Sequence, residues 1–111
     1  MNQENKFGIN DDAYKWILRV LGIFPEVDEV IIFGSRAKGN FKPGSDIDLA
    51  IKGTGLEYNY PEKIRHMLED GLYTLYFFDV VDYDKISNVA LKEHIDRVGK
   101  VFYKHDAITT A

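Results

Sequence analysis

The stretch "IIFGSRAKGNFKPGSDIDLAIK", Ile31 to Lys52, decides how this chain is read. An apolar, β-branched run ends in Gly34-Ser35. A basic, glycine-rich loop follows, and two aspartates, Asp46 and Asp48, then open a second apolar run. "DIDLAIK" (46–52) alternates, with Ile47, Leu49 and Ile51 on one strand face and Asp46, Asp48 and Ala50 on the other. Residues i and i+2 of a strand share a face, so the two carboxylates are held side by side. Like charges that close repel, and burial makes the repulsion worse. A solvated edge strand is the plain reading of an isolated Asp-x-Asp, since aspartate prefers the surface. Aspartate is nevertheless disfavoured in strands, and these two open a strand with a clean apolar face. A cation between them removes the conflict, and oxygen-only ligands select a hard ion, Mg²⁺ or Mn²⁺.

The Gly34-Ser35 corner is the second piece. A strand that ends in Gly-Ser and passes into a turn of helix aims backbone N–H groups at one point, a setting suited to phosphate. Gly34 permits close backbone approach, Ser35 adds a hydroxyl, and Arg36, Lys38 and Lys42 add positive charge. Standing alone, Gly-Ser is also an ordinary strand-to-helix corner with serine as cap.

Working outward, residues 1–10 are polar and without period, and read as a loose segment. Asn10, Asp11 or Asp12 caps a helix carrying Ala13, Trp16, Ile17, Val20 and Leu21 at helical spacing, with Gly22 as its stop. Glu29–Phe33 is a buried strand, "GSRAKG" one short helical turn, and "NFKPGS" turn chemistry. "PEKIRHMLEDG" has proline at its first position and glycine at its end, and is a helix. "YTLYFFDVVD", Tyr73 to Asp82, reads as a third strand, mostly apolar and therefore central. Ser87 or Asn88 caps a last helix whose stripe is Val89, Leu91, Ile95 and Val98. "KVFYK" forms a short strand or an extended tail, and residues 105–111 fray. Residues 11–104 thus form one small α/β (α+β) domain, a β-sheet flanked by helices in two or three layers.

Composition narrows the function. The 111 residues suit a single domain. The absence of cysteine excludes disulfides, thiol catalysis and cysteine-based zinc sites, and suits a reducing cytoplasm. Eighteen acidic residues against fourteen basic ones argue against a broad nucleic-acid face, though not against a local phosphate site. No apolar run nears the roughly 20 residues that span a bilayer, and the start lacks a signal-peptide pattern. The chain reads as cytoplasmic.

Asp79 supplies a third carboxylate. It lies inside "LYFFDVVD", and a buried mid-strand aspartate is costly unless paired or metal-bound. If the third strand lies beside the second, Asp79 joins Asp46 and Asp48. Asp82 is three residues on and on the opposite strand face, so only one of the two, Asp79 or Asp82, can point at the site; Asp82 and Asp84 read as strand-end and cap residues. Three carboxylates, Asp46, Asp48 and Asp79, that clamp metal beside a turn that holds a triphosphate are the parts of a phosphoryl-transfer site.

The motif "FGSRAKGNFKPGSDIDLAI" resembles the signature of the nucleotidyltransferase superfamily related to DNA polymerase β: a hydrophobic residue, Gly, Gly/Ser, a loop, then Asp-x-Asp/Glu with apolar neighbours. Phe33, Gly34, Ser35 and Asp46-Ile47-Asp48 match every element. The Gly-Ser-Arg-x-x-Gly form and the short chain resemble the minimal nucleotidyltransferases (MNT proteins) paired with HEPN-domain partners. The likeness runs from Val27 to Lys104, specific in the motif and only patterned elsewhere. It implies a nucleotidyltransferase-type mixed sheet. It implies that Gly34 and Ser35 bind the phosphates of ATP or another NTP, that Asp46 and Asp48 bind Mg²⁺, and that Asp79 assists the attacking hydroxyl. It also implies transfer of a nucleoside monophosphate, AMP first among them, to a hydroxyl of a HEPN toxin, with this chain as antitoxin in a homo- or hetero-oligomer. The alternatives are a module that neutralises a HEPN partner by covering it and a small-molecule nucleotidyltransferase. The chain is short for the extra helices such an enzyme uses to hold its acceptor.

Other residues invite less. His66 and His94 lie on helices without a ligand partner at metal spacing and read as surface or satisfied histidines. Tyr58 and Tyr60 sit in a loop, where they could flank a nucleobase.

Overall fold

A computed structural model describes residues 7–72 and 75–105. Helix α1 (Asp11–Gly22) begins where Asn10 Oδ1 accepts from the Ala13 N–H at 2.9 Å, and buries Ala13, Ile17, Val20 and Leu21. Strand β1 (Val27–Phe33) runs directly into the five-residue α2 (Gly34–Lys38). Gly39, with φ 87°, ends α2, and its N–H and that of Asn40 both donate to the Ser35 carbonyl. Strand β2 (Ile47–Gly53) follows, then α3 (Tyr60–Gly71), whose first turn carries the proline that the sequence places there. Strand β3 (Phe78–Asp82) passes into a 3₁₀ turn (Tyr83–Lys85). Helix α4 (Val89–Val98), capped by Asn88 Oδ1, leads to β4 (Lys100–Lys104).

The four strands make one mixed sheet in the order β3-β2-β1-β4. β1 is antiparallel to β2 and to β4, whereas β2 and β3 are parallel, with α3 as the crossover that a parallel pair requires. One face packs Val30, Ile32, Leu49, Ile51 and Val80 under α1 and α3. The other packs Ile31, Phe33 and Ala50 against Ile95 of α4. Helices therefore cover both faces, the three-layer form of the expected fold.

Three expectations need correction. Residues 7–10 are not loose: Phe7 and Ile9 sit in the core beside Phe102 and α1. Residues 1–6 and 106–111 lie outside the described residues, as do Tyr73 and Thr74 of the expected third strand. Among the described residues β3 is an edge strand rather than a central one, because β4 takes the far side of β1. Its apolar residues are covered by helices on the sheet faces instead of by a further strand. Val89 is exposed, so the α4 stripe begins at Leu91.

Arg36 joins three remote segments. Its side chain is only 3% exposed. Nε and Nη2 donate to the Ser45 carbonyl at 3.1 and 2.9 Å, and Nη1 donates to the carbonyls of Phe7 and Gly8 at 2.8 and 3.0 Å. Phe41 and Tyr76 stack near the guanidinium, 5.0 and 5.6 Å from ring centroid to Cζ. Removing this fork strands several carbonyls away from water, at roughly 1–3 kcal/mol for each fully buried group. Arg36→Ala should therefore lower the unfolding free energy by about 2–4 kcal/mol in a denaturant titration. Arg36→Lys should recover little of it, because a single ammonium cannot reach all three carbonyls.

Candidate functional site

The strand registers place the aspartates. Asp48 is opposite Phe33 on one side and Asp79 on the other, so Phe33, Asp48 and Asp79 form one row across three strands. The next row along, on the same face, is Ile31, Ala50 and Val81. The sheet therefore changes from apolar to acidic within one pleat. Neighbouring strands lie about 5 Å apart, which sets the spacing of the Asp48 and Asp79 backbones. Asp46 immediately precedes β2 on the same face, and is exposed. Asp79 is exposed as well, because β3 lies at the sheet edge; the burial expected of it does not occur. Asp82 is the buried one, 8% exposed, on the opposite face, where its side chain caps the 3₁₀ turn through the Asp84 N–H at 3.2 Å. That outcome matches its reading as a cap.

Asp48 is half-buried, and its carboxyl is pushed up to about 6. Burial is the largest cause, followed by the charges of Asp79 and Asp46; Arg36 opposes them. The site thus carries more negative charge than its surroundings balance.

The Gly34-Ser35 corner lies against this carboxylate. Gly34 has φ 74°, and a Cβ at that position would collide with Asp48 Oδ2. Glycine is required twice over, by the left-handed backbone and by the approach of the carboxylate. Beyond the corner opens a cleft of about 310 Å³, lined by Gly34, Ser35, Lys38, Lys42, Ser45 and His94. Ser45 Oγ is committed locally, donating to the Lys42 carbonyl at 2.7 Å.

Two other expected residues are placed differently. Arg36 was expected to lend charge to the phosphates, but its guanidinium turns inward to the carbonyls of Phe7, Gly8 and Ser45. Lys38, by contrast, is exposed and lines the cleft. Tyr60 is not in a loop beside a base; it is buried in the first turn of α3, edge-on to Phe24 at 5.1 Å. Tyr58 is 87% exposed and borders a separate groove with Pro61, Val81 and Leu91. His66 pairs with Glu62 on the surface. His94 is the residue that sequence reasoning passed over. Its signal was the spacing Leu91, His94, Ile95, Val98, which puts it on the inward stripe of α4.

Among the described residues no three His, Asp or Glu side chains form a ready-made metal cage. The donor set still suits Mg²⁺, which takes one or two carboxylates and completes its shell with water and substrate phosphate oxygens. Asp46 and Asp48 could provide those carboxylates, and the raised Asp48 carboxyl marks a place where a cation would relieve repulsion.

The family model described as "Polymerase beta, Nucleotidyltransferase" matches residues 15–108. No curated protein matches the sequence. Among solved structures, a toxin–antitoxin crystal structure with AMP-PNP superposes with a TM-score of 0.67 at 21% identity, over 92% of this chain and 79% of that one. A chain from the complex of tri-AMPylated Shewanella oneidensis HEPN toxin with MNT antitoxin gives 0.63 at 19%, over 88% and 75%. A chain of the toxin–antitoxin MntA–HepT gives 0.63 at 20%, over 84% and 71%. At these identities the likeness is one of fold. The match over residues 15–108 settles the family: this chain belongs to the polymerase beta nucleotidyltransferases.

Proposed function

We propose that this chain is a Mg²⁺-dependent nucleotidyltransferase that moves AMP from ATP to a hydroxyl of a HEPN-domain protein, as the antitoxin of that pair in the cytoplasm. The observation that carries the reading is the row Phe33–Asp48–Asp79 abutting the Gly34-Ser35 corner, within a chain of this family. The HEPN partner is supported by fold neighbours described as MNT antitoxin with tri-AMPylated HEPN toxin, and ATP by the neighbour with AMP-PNP. No helix of the described residues is long and apolar enough to cross a membrane, which agrees with that setting.

In this reading Gly34 and Ser35 hold the triphosphate, with Lys38 supplying charge from the cleft wall. Asp46 and Asp48 hold Mg²⁺ (Mn²⁺ is the natural substitute). When bound, the ion neutralises the charge that builds on the phosphate oxygens. The acceptor oxygen forms its bond to the α-phosphorus as the bond to the bridging oxygen breaks and pyrophosphate leaves. Asp79, open to solvent at the sheet edge, takes the acceptor's proton and can pass it to water.

The reading is tested on the complex purified with its native partner. With Mg·ATP, intact mass should show an AMP-sized gain on the partner. Asp48→Asn should slow that gain by about 10²- to 10³-fold, the usual cost of losing a charge-stabilising group. A stable complex with no gain under any NTP would instead favour neutralisation by cover alone.

Asp48 also predicts a pH effect. Its folded value of about 6 lies above its ordinary 3.8, so the folded chain keeps a proton that the unfolded chain has released. Metal-free stability should therefore fall as pH rises from about 4 to about 7, relative to Asp48→Asn measured alongside. Mg²⁺ should shrink that difference in thermal melts.

Gly34→Ala should cost about 1–2 kcal/mol from the left-handed backbone alone. It should also displace the Asp48 carboxylate. Transfer should then fall further than stability does when rates are compared well below the melting temperature.

A further inference from the structure

The cleft beyond the Gly34-Ser35 corner is lined by none of the three aspartates. It is bounded by groups that donate hydrogen bonds or carry positive charge, among them Ser35, Lys38, Lys42 and His94. If the α-phosphorus reacts beside Asp48, this cleft is the adjoining cationic space for the remaining two phosphates.

His94 forms the wall contributed by α4. Its ring stands edge-on to buried Phe33, with centroids 6.1 Å apart and planes at 81°. Phe33 is the residue just before the corner, so the contact fixes the imidazole relative to the turn. Ile95, the next residue, is buried against the sheet and anchors α4 at this point. Among the described residues the His94 ring nitrogens have no hydrogen-bond partner. A histidine kept only for packing would sit in the core with its nitrogens satisfied. This one is half-buried, set nearly perpendicular to Phe33, and lines a cleft that holds two lysines.

We infer that His94 binds the pyrophosphate portion of the nucleotide, donating a ring N–H to a β- or γ-phosphate oxygen opposite Lys38 and Lys42. The inference rests on the nucleotidyltransferase reading above and adds to it a recognition residue on α4, outside the Gly-Ser/Asp-x-Asp motif. It gives the site a way to tell a triphosphate from a monophosphate, because AMP has nothing to place in this cleft. The ring is pre-set by Phe33, so little rotamer freedom is lost on binding.

The experiment is calorimetric titration of the purified chain in Mg²⁺ with ATP, pyrophosphate and AMP. Three variants accompany the natural chain. His94→Ala removes ring and donor, His94→Phe keeps an aromatic edge on Phe33 without a donor, and His94→Gln restores a donor. Loss of a hydrogen bond to a charged group should weaken ATP and pyrophosphate about ten-fold in His94→Ala and His94→Phe. AMP should be unaffected, and His94→Gln should recover most of the loss. Unfolding midpoints without nucleotide show whether each variant folds; should His94→Ala fail to, the Phe and Gln pair decides. Equal ATP affinity in the natural chain and His94→Phe would overturn the inference while leaving the nucleotidyltransferase reading intact. Equal weakening of ATP and AMP would also overturn it, since it would show a structural role. Absence of ATP binding by the natural chain would overturn both.

Discussion

The site is held together by one guanidinium. The Gly34-Ser35 corner and the aspartates belong to different strands, and the loop between them contains two glycines and a proline. Such a loop could wander. Arg36, the residue immediately after the corner, takes the Ser45 carbonyl through two of its nitrogens, one residue before Asp46. Its third nitrogen takes the carbonyls of Phe7 and Gly8 and draws the N-terminal segment into the same joint. Only arginine offers a rigid planar fork that can serve three carbonyls in fixed directions. The same charge opposes the upward push on the Asp48 carboxyl, so the joint also moderates the field of the site it braces.

Stability and function meet across a single pleat of the sheet. The row Ile31, Ala50, Val81 is apolar and packs under α4. One row further on, the same face presents Asp48 and Asp79, with Asp46 beyond. On the opposite face Ile47, Leu49 and Ile51 of β2 stay buried and apolar, so β2 keeps its register while it exposes charge on one side. A sheet built only for stability would continue the apolar row. The crowding of carboxylates is a local departure from what packing favours, and such departures concentrate where chemistry is done.

Much of this was legible in the sequence because the signals are local. Strict alternation in Asp46–Lys52 fixed both faces of β2, and the cap candidates at 10–12 and 87–88, with Pro61, marked helix starts through chemistry confined to one turn; the caps are Asn10 and Asn88. The Gly-Ser corner and the aspartate pair were readable for the same reason. What escaped depends on contacts remote in the chain. β3 looks central from its composition, and only the pairing of β4 with β1 leaves it at the edge. Phe7 and Ile9 look like a tail until Phe102 and Arg36 close on them. Arg36 resembled a phosphate ligand because nothing near it in sequence reveals carbonyls 28 and 29 residues away. His94 meets Phe33 across 61 residues, a separation that no periodicity reports (94 − 33).

The contact between Asp48 and Gly34 explains why the two halves of the motif must come together. A carboxylate resting on a glycine Cα is placed by backbone, not by the rotamer of a second side chain. The separation between phosphate corner and metal-binding carboxylate is then a property of the β1–β2 pairing, where Phe33 faces Asp48 directly. Sheet register is discrete, since a slip by one residue would turn Asp48 into the apolar core and Leu49 out to the cleft. In-line phosphoryl transfer needs its groups placed closely before reaction, and misplacement by about 1 Å can be costly. A register held by apolar rows on both sides of the sheet gives that placement without a long side chain to order. The motif can therefore be short, because the sheet behind it does the positioning.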